Sequence, residues 1–190
     1  MVIDFSKYYW KNDLIHLRPP NETDWKDFLP GRFESEIRFF LNEEIEMPVD
    51  SESIRKRSIE DLEPGKLDYI PFTIENNEGK NVGWANIFDI DERNGKFGPI
   101  GIQINSSYKK MGYAVATYRM LGNYMFNERR MHKWNSGYVY GNEASEALHK
   151  KIGFIIEGIQ KDMYFHKGKY WDQVIVGITE KQFFDNEKTF

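Results

Sequence analysis

The chain has 190 residues, which suffice for one domain with a substantial core but not for two ordinary domains. Apolar residues make up 40% and charged residues 29%, the balance of a globular protein rather than a disordered one. The absence of cysteine excludes disulfides, a thiolate nucleophile and a cysteine-ligated zinc site. A net charge of −4 argues against a general nucleic-acid binder, whereas mild acidity suits a cationic substrate such as an amine.

The N-terminal sequence has neither a basic region nor an apolar run, so it gives no sign of a secretory signal peptide. No stretch of the sequence is apolar over the length needed to cross a bilayer. We therefore expect a cytoplasmic protein that binds neither nucleic acid nor a membrane.

The first half of the chain predicts one strand, a group of helices and then antiparallel strands. The strand covers Ile15–Arg18 and ends at Pro19-Pro20. Helices are predicted at 23–29, 35–41 and 51–62, the last of them ending before Pro64-Gly65. Strands are then predicted at 69–75, 82–90 and 97–104, joined by hairpin turns at Glu78-Gly79 and Asn94-Gly95.

The second half predicts alternating helices and strands. The segments are a helix at 114–129, a strand at 133–140, a helix at 143–151, and a hairpin of strands at 154–165 and 169–178. A helix that connects two strands implies a parallel pair in this half. The whole pattern predicts a single mixed α/β (α+β) domain over 1–190, with one central, mostly antiparallel sheet flanked by helices. We expect its core at about 13–180 and a C-terminal tail at 181–190.

A short basic turn, Lys109-Lys110-Met111-Gly112-Tyr113-Ala114, lies between a predicted strand and a predicted helix. The N-terminus of a helix exposes unpaired N–H groups and the positive end of its dipole, which suits a phosphate. Gly112 lets the chain approach a ligand closely, and Lys109 and Lys110 add positive charge. The alternative interpretation is a solvated lysine turn that caps a core helix. The motif lacks the Gly-Lys-Ser/Thr of a Walker loop and the spaced glycines of a dinucleotide fingerprint.

The predicted helix at 143–151 carries a second pattern. Its apolar residues recur at helical spacing, and Gly153 follows as a stop signal. Asn142 lies where an N-cap belongs, and Asn142, Ser145 and His149 fall roughly on one face of the helix. Taken alone, a polar face beside an apolar stripe is also ordinary for a surface helix.

Together these segments resemble the GNAT acetyltransferase superfamily. Its pyrophosphate turn has the form Gln/Arg-x-x-Gly-x-Gly/Ala, matched by Lys109, Gly112 and Ala114 with lysine as a departure in the first slot. Its Asn-x-x-Ser, Lys-x-Gly-Phe and Glu-Gly motifs are matched by Asn142, Ser145, Lys151, Gly153, Phe154, Glu157 and Gly158. A later Gly-x-Tyr-x-Asp hairpin, Gly168 to Asp172, is most similar to the RimJ/RimL-like branch, which contains the ribosomal-protein N-terminal acetyltransferases.

The resemblance implies an acyltransferase, an N-acetyltransferase that uses acetyl-CoA as cosubstrate. It implies that the pantetheine arm pairs with the strand Ile100–Ile104, where backbone N–H groups around Ile102, Gln103 and Ile104 polarise the thioester carbonyl. The other implied cofactor contacts are Lys109, Lys110, Met111, Gly112, Tyr113, Ala114, Asn142 and Ser145. The implied partners are a primary-amine acceptor, on a small molecule or a protein N-terminus, and a second copy of the chain in a homodimer. The alternative function is a non-catalytic acyl-CoA-binding or regulatory module of the same fold.

Two catalytic assignments stay open within the resemblance. Ser145 matches the serine that protonates the departing thiolate in RimL-like enzymes, and His149 occupies the slot where other GNAT enzymes place a tyrosine. The strand before the turn offers no carboxylate to act as the general base. The candidates are Asp89, Asp91, Glu34, Glu36, Glu43, Glu44 or a water chain.

The remaining candidate residues are histidines and aromatics. His16, His132 and His166 show no metal-ligand spacing, so no metal site is predicted. The aromatic hairpin residues Tyr164, Phe165, Tyr170 and Trp171 are predicted to form either a subunit interface or a wall of the acceptor pocket.

Overall fold

The strands of the protein are divided between two sheets. The computed structural model describes residues 7–41, 48–60 and 69–187. Its strands are β1 (Ile15–Arg18), β2 (Ile70–Asn76), β3 (Asn81–Ile87), β4 (Lys96–Phe97), β5 (Ile100–Ile104), β6 (Lys133–Val139), β7 (Ile155–His166) and β8 (Lys169–Thr179). Both sheets have four strands, in the orders β1-β2-β3-β5 and β4-β6-β8-β7.

Helices pack on both sides of these sheets. They are α1 (Trp25–Arg32), α2 (Ser35–Phe40), α3 (Ser51–Glu60), α4 (Tyr113–Asn123), α5 (Glu143–Ile152) and α6 (Glu180–Glu187). α4 continues into a π-helical turn, Tyr124–Glu128. A single 3-10 turn, Ser106–Tyr108, precedes α4.

The separation of the sheets begins at Gly98-Pro99, between β4 and β5. β4 pairs in parallel with β6, whereas β5 pairs with β3 and, among the described residues, not with β6. A Cβ on Gly98, where φ is +98°, would lie 2.1 Å from the Asn135 carbonyl oxygen, so only glycine allows this close passage. The following proline has no N–H to continue a ladder. A gap therefore opens between β5 and β6 from Ile100 onward.

The core fills the side of the sheets that faces α4 and α5. Trp134 of β6 is fully buried and packs against Phe97, Tyr118 and Phe154, with ring centroids 4.9–5.2 Å apart. The Tyr118 hydroxyl donates a 2.8 Å hydrogen bond to the Ile100 carbonyl and so ties α4 to the start of β5. This contact holds the helix beside the gap.

The opposite side of the first sheet is covered by α1. Register places Arg18, Thr73, Trp84 and Gln103 in one row across β1, β2, β3 and β5. Asp24 accepts hydrogen bonds from Arg18 at 2.7 and 2.8 Å and from the Thr73 hydroxyl at 2.7 Å. Burial alone would raise the pKa of Asp24, but these donors and the Asn21 N–H hold it below its usual value. This ion pair anchors α1 over the row.

The mixed α/β class and the parallel pair predicted from the sequence are confirmed. The expectation of one central sheet is wrong, because β4 and β5 pair with different neighbours and the predicted strand 97–104 is broken at Gly98-Pro99. The expectation of a tail at 181–190 is wrong for residues 181–187, because they belong to α6. Phe183 of this helix is fully buried against Gly122 and Trp134. The end of the predicted helix 51–62 lies outside the described residues.

Candidate active site

β5 presents backbone groups to the gap. The Asn105 N–H donates to the Val82 carbonyl at 2.9 Å, and the Pro99 carbonyl accepts from Phe88 at 3.0 Å, so odd-numbered residues of this strand face β3. The even-numbered residues therefore direct their N–H and C=O groups into the gap. The Ile100 carbonyl already accepts from Tyr118. Of the three predicted backbone contacts at 102–104, Ile102 and Ile104 direct their N–H groups into the gap. The N–H of Gln103 faces β3, and its side chain lies under α1.

The basic turn leads from this gap to the N-terminus of α4. Gly112 caps the helix with φ +87°, and Lys110 before it also has a positive φ of +64°. The Ala116 N–H donates to the Gly112 carbonyl at 3.0 Å, so the N–H groups of Tyr113, Ala114 and Val115 have no helical acceptor. Lys109, Lys110 and Met111 are exposed. The turn thus has the geometry of an anion site.

A basic cavity of about 570 Å³ extends from this turn along the outer face of α4. Its charged lining is three basic residues, Arg119 of α4, Lys151 at the end of α5 and Lys11, and one acidic residue, Glu128. Gly112 lies at its edge. Arg119 pairs with Glu187 of α6 at 2.8 Å, which holds the guanidinium in place. Sequence reasoning missed Arg119, because nothing in a single helical arginine distinguishes it from a solvated one.

The N-terminus of α5 lies at the end of β6. The Asn142 side-chain oxygen accepts from the Ser145 N–H at 3.1 Å, so Asn142 is the helix N-cap that the sequence predicts. Ser145 is half-buried, with its hydroxyl 3.3 Å from His149 Nδ1. The structure therefore brings Asn142, Ser145 and His149 together on one face of the helix.

His149 is a buried side chain with both ring nitrogens engaged. It is 3% exposed; Nδ1 lies 2.7 Å from the Ser145 carbonyl oxygen, and Nε2 lies 2.8 Å from the Ser136 hydroxyl. A carbonyl only accepts, so Nδ1 carries the hydrogen and Nε2 accepts from Ser136. Burial lowers the pKa of His149, which outweighs the opposite effect of the Ser145 carbonyl. The imidazole is therefore neutral, and the Ser145 hydroxyl keeps its own proton for another acceptor.

Gln103 of β5 lies on the face of the first sheet that α1 covers. Its Oε1 accepts a 3.2 Å hydrogen bond from Trp84 Nε1. A Cβ on Gly31 would lie 1.9 Å from Gln103 Nε2, so α1 passes directly over this side chain. Glu34, between α1 and α2, lies 3.3 Å from the Ser106 hydroxyl, just beyond β5. The α1–α2 connection thus begins above the first sheet.

α2 carries this connection to the β7–β8 hairpin of the second sheet. Phe39 stacks on His166 with ring centroids 4.1 Å apart and planes 10° apart, and it contacts Trp171 at 5.7 Å. Lys167 in the hairpin turn pairs with Glu36 at 2.9 Å. A Cβ on Gly141 would lie 3.7 Å from the Trp171 ring, so this cluster reaches the start of α5. α1 and α2 therefore cover the mouth of the gap opposite α4 and α5.

The aromatic hairpin residues divide between two faces. Tyr164 pairs with Trp171 and Phe165 with Tyr170, and neighbouring pairs point to opposite sides of a sheet. Trp171 faces α2, so it walls the covered side of the gap. Phe165 and Tyr170 are 64% and 63% exposed on the other face. Sequence reasoning treated the four residues together, whereas the register places the two pairs on opposite faces of the hairpin.

The carboxylate candidates for a base are mostly engaged elsewhere. Asp91 accepts from the Asn94 N–H and side chain within a turn, and these bonds lower its pKa. Glu36 pairs with Lys167, Glu34 contacts Ser106, and Asp89 is exposed. Glu43 and Glu44 lie outside the described residues. Within 7–41, 48–60 and 69–187, no group of three histidines or carboxylates could hold a metal ion, and no helix is long and apolar enough to span a membrane.

The chain matches a family description over most of its length. Residues 15–155 match the acetyltransferase (GNAT) domain, and the chain belongs to this family. A Bacillus subtilis relative, the SPbeta prophage-derived uncharacterized N-acetyltransferase YokL, is 29% identical over 92% of this chain and 95% of its own. The spermidine N-acetyltransferase of Vibrio cholerae, solved with CoA and spermine, superposes with a TM-score of 0.76 over 91% of this chain and 99% of its own at 20% identity. A GNAT-family acetyltransferase of Bacillus anthracis superposes with a TM-score of 0.75 over 90% and 98%, at 21% identity.

The buried neutral state of His149 predicts a pH dependence of stability. Its pKa in the folded state lies below the value of about 6.5 in the unfolded chain, so the unfolded state takes up the proton first as the pH falls. The contribution of neutral His149 to the free energy of unfolding is fully present above about pH 6.5. As the pH falls below this value, the contribution decreases by at most about 1.4 kcal/mol per pH unit. Urea unfolding of wild type and His149→Gln at pH 7 and pH 5 measures this loss.

We expect a smaller acid loss in His149→Gln than in the wild type. The matched control is His132→Gln, which alters an exposed histidine and should keep the wild-type dependence. An unchanged acid loss in His149→Gln would contradict the assignment of His149 as a buried neutral group.

Proposed function

We propose that this chain transfers the acetyl group of acetyl-CoA to a primary amine by direct attack. The observation that carries the proposal is the continuity of the gap beside β5 with the glycine-capped N-terminus of α4. Acetyl-CoA joins its thioester to a charged diphosphate through a long arm that forms hydrogen bonds. It therefore needs a strand edge with free backbone groups and, next to that edge, an anion site. The chain's N–H groups and lysines therefore fit acetyl-CoA as cosubstrate.

Ile102 and Ile104 hold the acyl arm in this proposal. Their gap-facing N–H and C=O groups offer an added strand the same bonds that β6 would have made, a familiar mode of peptide-like recognition. An N–H directed at the thioester carbonyl stabilises the oxyanion that forms on attack, an effect worth several kcal/mol in a site without water.

The phosphates are bound by the basic turn and the adjoining cavity. The N–H groups of residues 113 to 115 and the charges of Lys109 and Lys110 suit the diphosphate. Arg119 and Lys151, which line the cavity, suit the remaining phosphate and the nucleoside. The side-chain oxygen of Asn142 forms the N-cap of α5. In this proposal its amide nitrogen donates a hydrogen bond to a carbonyl of the pantetheine arm.

Ser145 supplies the proton to the departing thiolate in this proposal. His149 is neutral, buried and bonded at both nitrogens, so it has no proton to give without leaving an unpaired buried group. The Ser145 hydroxyl is half-buried at the N-terminus of α5, where the positive helix end favours the negative charge that the serine acquires. His149 instead fixes the backbone at Ser145.

The acceptor enters from the side covered by α1 and α2. A protein N-terminus, as acetylated by the RimJ/RimL-like branch, and a small-molecule amine are the two acceptor classes. The Vibrio cholerae neighbour was solved with spermine, which supports testing polyamines first. The cytoplasmic location, the single domain over 1–190 and the homodimer stay predictions. A non-catalytic acyl-CoA-binding module is the second candidate, favoured by the lack of a carboxylate on β5 around Gln103.

The first prediction of the proposal is amine-dependent release of CoA thiol. The assay follows thiol release from acetyl-CoA with spermidine, an amino sugar, an aminoglycoside and a short peptide with a free N-terminus. We expect release above the amine-free rate with one or more of them. Binding of CoA without turnover on any of these amines would favour the non-catalytic module instead.

A bulky residue at Gly112 should weaken CoA binding more than its effect on folding explains. Gly112→Leu places a side chain where the phosphates approach the turn, and we expect affinity for CoA to fall about tenfold or more, or about 1.4 kcal/mol. The matched control is Gly79→Leu, in the β2–β3 hairpin, where φ is +73° and the space beside the glycine is open. Both changes strain a left-handed residue by roughly 1–2 kcal/mol. Equal CoA affinity in the two variants would contradict the phosphate site.

Removal of the Ser145 hydroxyl should reduce turnover and leave CoA affinity nearly intact. Ser145→Ala keeps the N–H that donates to the N-cap Asn142, so the helix end should stay intact. We expect kcat to fall roughly 100-fold, the usual order for one general acid. His149→Gln should retain more turnover than Ser145→Ala. The reverse order, measured by thiol release and CoA titration, would assign the acid to His149.

A further inference from the structure

His166 is a second buried histidine, and it has an unused nitrogen. The residue is 7% exposed, and its Nε2 is buried without a hydrogen-bond partner among the described residues. A buried polar atom that stays unpaired costs roughly 1–3 kcal/mol, so such atoms usually meet a partner in the working state. By contrast, both nitrogens of His149 are satisfied.

The position of His166 is fixed from several sides. Its ring is stacked on Phe39 of α2 at 4.1 Å. Its carbonyl accepts from Trp171 Nε1 at 3.3 Å, and the next residue, Lys167, pairs with Glu36 of α2. The imidazole is therefore held by packing, and its Nε2 has no hydrogen-bond partner among the described residues.

His166 lies on the acceptor side of the gap. It pairs with Lys169 on the face of the hairpin that also carries Trp171, and α2 covers this face. Gln103 of β5 lies on the face of the first sheet that α1 covers, and α2 follows α1 along the chain. Ser145 and the basic turn lie on the other side, with α4 and α5. A base is needed where the amine enters, and an acid where the thiolate leaves.

We propose that Nε2 of His166 is the base that accepts the proton of the acceptor's ammonium group, an inference that rests on the proposed acetyl transfer. The ammonium gives one proton to Nε2, and the nitrogen lone pair then forms the C–N bond while the C–S bond breaks with its electrons on sulfur. Ser145 protonates the sulfur, and the second proton lost by the nitrogen restores the serine hydroxyl. His166 returns its proton to water, so the step needs no further reactant.

The test compares pH profiles of kcat/KM for the best amine of the thiol-release panel. His166→Gln keeps a polar side chain of similar length but cannot carry the proton, so only amine that is already neutral reacts. We expect kcat/KM of the variant to be roughly 100-fold below the wild-type value near pH 7. This difference should shrink about tenfold for each pH unit as the pH rises and the free amine loses its proton. The charged groups on the packed elements are Glu36 and Arg38 of α2, Lys167 in the turn and Lys169 of β8, and none of them changes in the variant.

Two controls separate a base from a structural residue. His132→Gln should show the wild-type profile, and His166→Ala should regain turnover when imidazole is added. A loss in His166→Gln that is the same at every pH, or a wild-type profile in that variant, would overturn the proposal. Urea midpoints of the variants show whether a loss comes from unfolding.

A binding measurement keeps this proposal distinct from the proposed acetyl transfer. The chain has four histidines, so the imidazole resonance of His166 can be assigned by single substitution. In the CoA-bound protein, spermidine or the free-N-terminus peptide should shift the His166 resonance and leave that of His132 unchanged. A shift without thiol release would reject acetyl transfer but keep His166 as the amine-binding group. An unmoved His166 resonance at saturating probe would reject the His166 proposal alone.

Discussion

The passage of the chain at Gly98-Pro99 is the constraint on which the candidate site depends. β4 lies against β6 at this point so closely that a side chain at Gly98 would meet the Asn135 carbonyl. One proline later the chain pairs, within the part that the structure describes, with β3 alone. Backbone groups of Ile102 and Ile104, which an intact sheet would satisfy, are thereby left to a ligand. Tyr118 closes the narrow end by taking the Ile100 carbonyl.

The two sides of this opening have different chemical characters. The α4 and α5 side offers a glycine-capped helix end, lysines and a serine at a second helix N-terminus, all suited to negative charge. The α1 and α2 side is lined by Gln103, Trp171 and the stacked pair of Phe39 and His166. The Arg18–Asp24 pair keeps α1 on this side, because moving α1 would separate the buried Asp24 carboxylate from its donors, Arg18 and Thr73. In the proposed reaction, the anionic cosubstrate and the cationic acceptor would occupy these opposite sides of the gap.

Most of the strands and helices could be predicted from sequence, because their apolar spacing and their turn residues agree. The family motifs also led to the turn at Lys109–Ala114 and to Asn142 and Ser145, since these features are local. The division into two sheets was not predictable, because it depends on which partner each half of the segment 97–104 takes. The state of His149 and the unpaired Nε2 of His166 were missed for a related reason. Two histidines in one sequence look alike, and only the surrounding Ser136, Ser145, Phe39 and Trp171 distinguish a satisfied ring from an unsatisfied one.

The helix α6 has a consequence for how the protein is made. Phe183 fills the hollow above Gly122 and touches Phe126 and Trp134, so residues near the end of the chain complete the packing of its middle. A growing chain emerges from the ribosome N-terminus first, and domains fold as units once their parts are available. The first sheet can assemble while synthesis continues, but the core around Trp134 stays open until residue 183 has left the exit tunnel. During that interval the hollow above Gly122 lacks Phe183, so the Trp134 and Phe126 rings are covered less than in the folded chain.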